Sequence, residues 1–361
     1  MRIITTVCWL ITGLALTGAA VWFLTGTVYG YRPDKGGFDW DFGINIGSME
    51  RLTGFYEARG TYNPGIAGVD SININWIAGE VTVKPYDGAD FKITEFAQRA
   101  LYDNEKLQID VSGGTLAIKF CENGRILRMP QKKLEVLIPR ELSGNLNMLT
   151  IDSTSGGVYT EEIGAEALKI NTMSGRIQLS NATARSQDID STSGSIIITQ
   201  VQADSMRINS MSGSIHVADA AIRSIDVDST SGSINVFGSF DSANLQSMSG
   251  RIVHNNSAQR SVLDADSTSG SLELSGSFDR VNANSMSGGV TIKSATIPSS
   301  LKVDTTSGSI IVSVPDEGTI TVNHSSVSGR FSSDIPVTIQ NSGAQFELSS
   351  MSGSIRITKL S

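Results

Sequence analysis

The chain has 361 residues, of which 39% are hydrophobic, so it is long enough to bury a sizeable core and too apolar to be disordered. Its net charge is −8 and it has no long basic run, which argues against nucleic acid as a partner. Aromatic residues make up only 6% while glycine contributes 36 residues, a balance that favours repeats of small residues over a close-packed globular enzyme.

The first part of the chain, residues 1–31, is an apolar segment with no charged side chain after Arg2. About 20 apolar residues are enough to cross a bilayer as a helix. We therefore expect a single-pass transmembrane anchor here, with a short cytoplasmic start and an extracytoplasmic C-terminal domain. The alternative is a signal peptide cleaved after Ala20. The apolar run continues beyond that point to Leu24, which favours the anchor.

Three further segments follow the apolar one. Residues 32–64 are polar and contain glycine, so we predict a linker. Residues 65–145 predict a β cap region, with a diverged coil around Gly79, a hairpin over 107–120 and a strand over 133–139 that ends at proline. Residues 146–361 contain the repeats. The free edge of the first repeat would be covered by the cap region.

The repeats are marked by a Thr-Ser-Gly or Met-Ser-Gly triplet, which occurs once as Val-Ser-Gly. Its commonest interval is 19 residues. Such regularity is the signature of a repeat architecture. The bend glycines are Gly156, Gly175, Gly194, Gly213, Gly232, Gly250, Gly270, Gly288, Gly308, Gly329 and Gly353.

Apolar residues alternate with polar ones on both sides of each bend, which predicts a strand, a bend and a second strand. One such unit cannot bury its inner face alone, whereas stacked units can. We therefore predict an all-β fold, a parallel β-solenoid (β-helix) of about 11 coils of about 19 residues with an N-terminal β cap, preceded by the transmembrane helix. The last strand, residues 355–360, is expected to end the stack without cover.

A second period lies on top of the first. Four residues before the glycine, Asp152, Asp190, Asp228, Asp266 and Asp304 alternate with Asn171, Asn209, Gln246 and Asn284. Carboxylates in every coil would lie about 4.8 Å apart and repel, whereas an amide between them doubles the spacing and donates hydrogen bonds. Duplication of a two-coil unit would give the same pattern, and the sequence does not separate these causes.

Several side chains are candidates for a functional site. The Asp series favours hydrogen bonding at the corners over binding of cations or sugars, and over the carboxylate pair of a glycosidase. The Met series, including Met173 and Met211, is interpreted as core rather than as a partner surface. The histidines and Cys121 are interpreted as buried or half-buried structural residues. A basic cluster is interpreted as a solvated edge; its members are Arg125, Arg128, Lys132, Lys133 and Arg140. No catalytic, cofactor-binding or metal-binding residue is assigned, and no cofactor is expected.

The layout resembles the bacterial putative-adhesin or toastrack family. The resemblance is carried by Ile72-Asn-Ile-Asn-Trp76 with Gly79 and Val81, by Lys133-Leu-Glu-Val-Leu-Ile-Pro139, and by the eleven Ser-Gly bends. It implies a β-solenoid on the cell envelope, with roles in stress sensing or adhesion, and supplies no catalytic residues.

These features predict a membrane-tethered, extracytoplasmic and non-catalytic module that acts as an envelope scaffold or stress sensor. Its partners would be the membrane, envelope proteins or cell-wall and surface glycans. The alternatives are an adhesin that binds glycans or a host surface and, third, a polysaccharide-acting enzyme.

Overall fold

The computed structural model describes residues 55–122, 130–338 and 343–360. Within these ranges the regular structure is almost entirely β-strand, with one 3₁₀ turn (Asp103–Glu105) and one four-residue helical turn (Arg140–Ser143). All the described strands join one hydrogen-bonded sheet system. The described part of the chain is therefore all-β.

Seven strands precede the repeats. They are β1 (Glu57–Tyr62), β2 (Ser71–Ala78), β3 (Val81–Tyr86), β4 (Lys92–Ala97), β5 (Gln108–Ser112), β6 (Thr115–Lys119) and β7 (Lys132–Pro139). The first of these strands lies within residues 32–64, for which a linker was predicted. The hydropathy pattern did not predict this strand, because all six of its side chains are exposed or half-buried.

The repeats contribute the remaining strands. The first twelve are β8 (Leu146–Ser155), β9 (Val158–Glu161), β10 (Gly164–Ser174), β11 (Ile177–Ser180), β12 (Thr183–Ser193), β13 (Ile196–Thr199), β14 (Gln202–Ser212), β15 (Ile215–Ser229), β16 (Ile234–Ser247), β17 (Ile252–Ser267), β18 (Leu272–Ser285) and β19 (Val290–Ser294). The last six are β20 (Ser300–Thr305), β21 (Ile310–Val314), β22 (Ile320–Ser326), β23 (Phe331–Ser333), β24 (Ala344–Ser350) and β25 (Ile355–Lys359).

Each coil consists of a long strand, a Ser-Gly bend and a short strand, and pairs in parallel with the coils on either side. Ile151, Ile170, Ile189 and Ile208 occupy one register position in successive coils and have no exposed surface. Because side chains alternate along a strand, every second residue enters this shared interior. Full burial of such a side chain contributes roughly 1.5–3 kcal/mol to the free energy of unfolding.

The bend glycines form a column along the stack. A Cβ atom added at any of them would lie 1.6–2.1 Å from a backbone oxygen of the adjacent coil. No side chain fits at that distance, so glycine is required by the close approach of the coils. The column runs through Gly79, Gly156, Gly175, Gly194, Gly213, Gly232, Gly250, Gly270, Gly288, Gly308, Gly353 and Gly329, in that order.

The bend takes two forms along the stack. In the coils of Gly156, Gly175 and Gly194 the glycine φ is +134° to +142°, and the glycine N–H donates to the next coil. From Gly232 onward the glycine N–H instead donates to the hydroxyl three residues earlier, as from Gly250 to Ser247 Oγ at 2.8 Å. The same triplet therefore supports two hydrogen-bonding arrangements.

Two further coils lie beneath the first Ser-Gly coil. β2 and β3 pair in parallel with β8 and β9, and on their other side with β6 and β7. Three antiparallel strands cover this end: β5 lies on β6, β4 lies on β7, and β1 lies on β4. The ladder edge of β6 and β7 is thus paired, and the short antiparallel strands β1 and β5 form the outer edge in its place.

At the other end, the coils do not stack in chain order. β24 pairs with both β20 and β22, and β25 pairs with both β21 and β23. The last coil is therefore inserted between its two predecessors, and the prediction that the final strand lacks cover is wrong. The long interval between Gly329 and Gly353 supplies the chain needed to pass back across the end.

The predicted transmembrane helix is not supported. In the part of the chain that the structure describes, no helix has the length and apolar character needed to cross a membrane. Residues 1–31, to which that prediction referred, lie outside the described ranges. The fold prediction is corrected accordingly: the described residues form the all-β part, and the preceding transmembrane helix is not supported.

Candidate interaction face

The long strands present a continuous outer surface, which we call the long-strand face. It comprises the outward side chains two, four and six residues before each bend glycine. They point outward because the residues between them, such as Ile170 and Thr172, are buried. Parallel register places equivalent side chains of successive coils in columns about 4.8 Å apart.

The column four residues before the glycine is the Asp and Asn series that the sequence singled out. Each Asn donates one hydrogen bond from Nδ2 to the Asp Oδ1 of the preceding coil. The contacts are Asn171 to Asp152, Asn209 to Asp190 and Asn284 to Asp266, each at 2.6 Å. The amides therefore separate and stabilise the carboxylates, as the predicted alternation requires.

The column six residues before the glycine was not recognised in the sequence. Its N-terminal part alternates in charge: Lys169 pairs with Asp188 at 3.4 Å and Arg207 pairs with Asp226 at 3.2 Å. Further along, amides replace the cations. Asn244 donates to Asp226 at 2.7 Å, and Asn282 donates to Asp264 at 2.9 Å. The charges in this column repeat every second coil, and an alignment of the repeats would have shown that period.

Asp228 departs from the pattern of its column. The amide of the next coil, Gln246, donates to Asn244 at 3.3 Å and not to the Asp228 carboxylate. Burial, aided by the nearby Asp226 carboxylate, raises the pKa of Asp228 to about 6. Burial also raises the pKa of Asp190, although there the hydrogen bond from Asn209 opposes the shift.

The methionines occupy the column two residues before the glycine, where they alternate with threonine. Met173, Met211, Met248, Met286 and Met351 are each 38–59% exposed. The interpretation of this series as core is wrong. The methionines lie two residues from the Asp and Asn column on the same strand, so their side chains point outward like those of that column. The long-strand face thus combines hydrogen-bonding groups with a row of thioether side chains.

An open groove of about 500 Å³ lies at the C-terminal end of this face. Lys302, Asp304, Asn323 and Glu347 line it, together with His324. The imidazole of His324 is exposed and stacks on the Phe331 ring, with the ring centroids 4.0 Å apart. The sequence predicted a half-buried His324, because the position five residues before the bend glycine is apolar in other coils.

The other predicted site candidates do not converge. His254 is buried between the rings of Phe240 and Phe278, His216 is exposed, and each lies in a different coil. Cys121 is half-buried, and burial raises the pKa of its thiol. Among the described residues, no group of three or more His, Cys, Asp or Glu side chains could hold a metal ion.

The basic cluster is not a single surface. Lys132 is fully buried, and its Nζ donates to Glu95 Oε1 and to the Glu105 carbonyl oxygen, each at 2.6 Å, and to the Phe120 carbonyl oxygen. It lies 3.9 Å from the centroid of the Phe120 ring. The interpretation of this lysine as a solvated edge residue is therefore wrong.

Two other members of the basic cluster are exposed or half-exposed. Arg140 pairs with Asp87 at 2.9 Å and with Glu162 at 3.0 Å. Lys133 lies over the Tyr56 ring, 4.9 Å from its centroid. Arg125 and Arg128 lie outside the described residues. The side chains that the sequence grouped together thus make separate contacts.

Stacked parallel coils, a column of bend glycines and regular outward columns define an all-β repeat protein. The chain belongs to the Toastrack DUF4097 family, which matches residues 69–239 and 238–359. The family resemblance noted in the sequence is thereby confirmed, whereas its membrane-anchored part is not shown. A comparison with curated proteins finds no match.

Solved structures similar to this chain include a "putative adhesin" from Parabacteroides distasonis, with 12% identity, 84% of this chain and 98% of that chain covered, and a TM-score of 0.40. A "putative adhesin" from Bacteroides fragilis has 14% identity, coverage of 83% and 96%, and a TM-score of 0.30. A "putative lipid binding protein" from P. distasonis has 16% identity, coverage of 86% and 98%, and a TM-score of 0.37. The assignment of the fold rests on the strand pairing and not on these likenesses.

Proposed function

We propose that this protein is a non-catalytic interaction scaffold of the cell envelope. The observation that supports the proposal most directly is the long-strand face, which offers the same set of side chains every second coil. Because each coil is fixed by parallel pairing on both sides, the array is rigid and needs little ordering when a partner binds. A repetitive surface of this kind suits a repetitive or extended partner.

Hydrolysis of a polysaccharide is the competing function, since the face carries pairs of carboxylates. A glycosidase needs one acid and one base in different environments at a single place. Here Asp152, Asp190 and Asp266 share one arrangement with their Asn neighbours. Asp228 and Asp304 differ from these three, since the Gln246 amide does not donate to Asp228 and Asp304 lies 3.9 Å from the Lys302 ammonium. That repetition supports a structural and binding role for the series.

The proposal is tested by binding of the purified full-length chain to an array of cell-wall polymers, surface glycans and envelope proteins. We expect saturable binding to one class of component and no turnover of any polysaccharide. A Gly288→Ala variant, in which the added Cβ would lie 2.0 Å from the Gly270 oxygen, serves as a control with a disrupted stack. Release of sugar fragments from a polysaccharide, or no binding at all, would contradict the proposal.

An extracytoplasmic location is part of the same proposal. A net charge of −8 favours solubility in water, and the outer columns are polar. Both features are compatible with exposure to an aqueous compartment outside the cell. Protease treatment of intact cells tests it, with a cytoplasmic protein as the control. We expect digestion of this chain while the control survives, and protection of the chain in intact cells would contradict the location.

A further inference from the structure

The repeat distance of the long-strand face specifies the kind of ligand that would match it. Equivalent side chains recur every second coil, which corresponds to about 9.6 Å along the stack. That distance is close to the length of one disaccharide in an extended β-1,4-linked glycan. A chain of this type lying along the stack would therefore meet the same protein groups at each disaccharide.

The charge of the long-strand face indicates which of these glycans it would bind. Lys169 and Arg207 neutralise carboxylates in the N-terminal half. Beyond Arg207, the two polar columns carry only acids and amides until Lys302. The acids there are Asp226, which pairs with Arg207, and Asp228, Asp264 and Asp266, for which no cation stands in the next coil of either column. This stretch repels a polyanion and complements a ligand that carries spaced positive charges.

The hydrogen-bonding groups and the methionines agree with a sugar ligand. A carboxylate can accept several hydrogen bonds, so the single donation from Asn284 to Asp266 leaves capacity for a ligand. Met248 and Met286 are 39% and 59% exposed and stand at the two amide-bearing coils on either side of Asp266. Their thioethers offer adaptable apolar contact to the C–H surface of a pyranose ring.

We propose that the long-strand face binds an extended β-1,4-linked amino-sugar polymer that lies along the stack. Its ammonium groups face the carboxylates of Asp228, Asp264 and Asp266, and its rings contact Met248 and Met286. This inference rests on the proposed interaction function and names the chemical class of the ligand.

The experiment measures binding of the full-length chain to β-1,4-linked glucosamine oligomers of two, four and six sugars. The buffer is held near pH 7, above the pKa of about 6 at Asp228, so that this carboxylate is mostly ionised while part of the amines stay protonated. We expect the affinity to increase from the dimer to the tetramer, because the second disaccharide engages the second acidic two-coil unit, and to change less from the tetramer to the hexamer. The fully N-acetylated oligomers should bind more weakly, and an oligogalacturonate, which is anionic, should not bind.

A pair of charge variants tests the position of the ligand. The double variant Asp264→Asn with Asp266→Asn should weaken binding of the glucosamine hexamer about tenfold, because it removes two carboxylates and keeps their size. The control is Glu161→Gln with Glu273→Gln, which removes the same charge from the short strands. It should bind the hexamer like the parent chain, and thermal melting confirms that both variants fold.

Three results would overturn the inference. They are affinity that does not depend on oligomer length, equal loss of binding in the two double variants, and equally tight binding of an oligolysine peptide, which would indicate charge alone. If the chain binds an envelope component but none of the glucosamine oligomers, the ligand class is wrong while the interaction function stands.

Discussion

At the scale of single residues, His254 stands at a position that holds leucine, isoleucine or valine in most coils. It is 1% exposed, and burial lowers the pKa of its imidazole to about 4. In the unfolded chain this imidazole has a pKa near 6.5, so between about pH 6.5 and 4 the unfolded state binds a proton that the native state does not. The native state therefore loses stability as the pH falls through this range. The full loss corresponds to about 3 kcal/mol.

The variant His254→Leu should abolish this part of the pH dependence. We expect its free energy of unfolding, measured in denaturant between pH 7 and 4, to fall less than that of the parent chain. His216→Gln, a change at an exposed histidine, should leave the parent profile unchanged. If His254→Leu follows the parent profile throughout, the imidazole is not the group that titrates.

Asp228 affects the pH dependence of stability in the opposite direction to His254. Because its pKa is raised to about 6, the native state gains from protonation and loses stability as the pH rises from about 4 through 6. Asp228→Asn should therefore stabilise the protein at pH 7 by about 1–2 kcal/mol, allowing for partial exposure, and have little effect at pH 4.

The control for that prediction is Asp266→Asn. The Asp266 carboxylate accepts a hydrogen bond from Asn284 at 2.6 Å, and losing the charge weakens that bond. This variant should be neutral or destabilised at pH 7. Chemical denaturation of both variants at the two pH values separates the cases, and stabilisation of both by the same amount would contradict the explanation given for Asp228.

Lys132 holds the N-terminal end together by donating to Glu95, Glu105 and Phe120. Removing one partner of a buried ion pair leaves an unpaired charge, so Lys132→Met should cost about 3–5 kcal/mol. Adding Glu95→Gln removes that charge, and the new amide can still accept the hydrogen bond that the Leu107 N–H donates to Glu95. The double variant should therefore recover part of the loss, as measured by denaturant unfolding. A double variant that is less stable than the single one would contradict this account.

At the scale of the structural element, the Ser-Gly bend is limited by the contact between coils. Gly288 and Gly289 are adjacent, yet an added Cβ would lie 2.0 Å from the Gly270 oxygen at the first and 3.5 Å from the Ser309 oxygen at the second. Gly288→Ala should therefore cost at least about 3 kcal/mol or prevent folding. Gly289→Ala should cost little, since its contact is an ordinary one.

The comparison of these neighbours is made by thermal melting and by circular dichroism at room temperature. Both variants replace one glycine by alanine, so the entropy of the unfolded chain changes alike in the two. A similar loss in Gly288→Ala and Gly289→Ala would show that coil contact is not the reason for the glycine column.

Local patterns predicted most of the elements. The spacing of the glycines and the alternation around them specified the bends, the strands and the buried columns. The Met series was misassigned because the prediction considered only that methionine is apolar. Alternation along the strand places Met173 on the opposite side from the buried Ile170, and this would have predicted an exposed position. Lys132 was missed because burial of a lysine depends on partners such as Glu95, which lies far away in the sequence.

At the scale of the whole molecule, the order of the coils could not be predicted. Every coil repeats the same apolar pattern, so each can stack on any other, and periodicity alone favours chain order. The insertion of the last coil depends instead on the length of chain between the final two bends. The diverged coil predicted around Gly79 is formed by β2 and β3. The coil formed by β6 and β7 was missed, because Lys132 stands at the position where the other coils have glycine.

The central claim is that the coils lie directly on one another in parallel register and in the order seen here. Ser313 and Thr358 are register partners in β21 and β25, with their hydroxyl oxygens 2.8 Å apart. Asp334 lies one coil further on, where it follows Ser333, the partner of Ile357. Strict chain order would instead place the Asp334 coil directly beside Ser313.

Engineered disulfides distinguish these orders. Ser313→Cys with Thr358→Cys should oxidise readily, because neighbouring strands bring the Cα atoms within about 4.4–6.8 Å. Ser313→Cys with Asp334→Cys spans two coils, about 9.6 Å, and should remain reduced. Peptide mapping of the oxidised proteins identifies the bond. We predict a disulfide between positions 313 and 358, and a disulfide between positions 313 and 334 without one between 313 and 358 would contradict the structure.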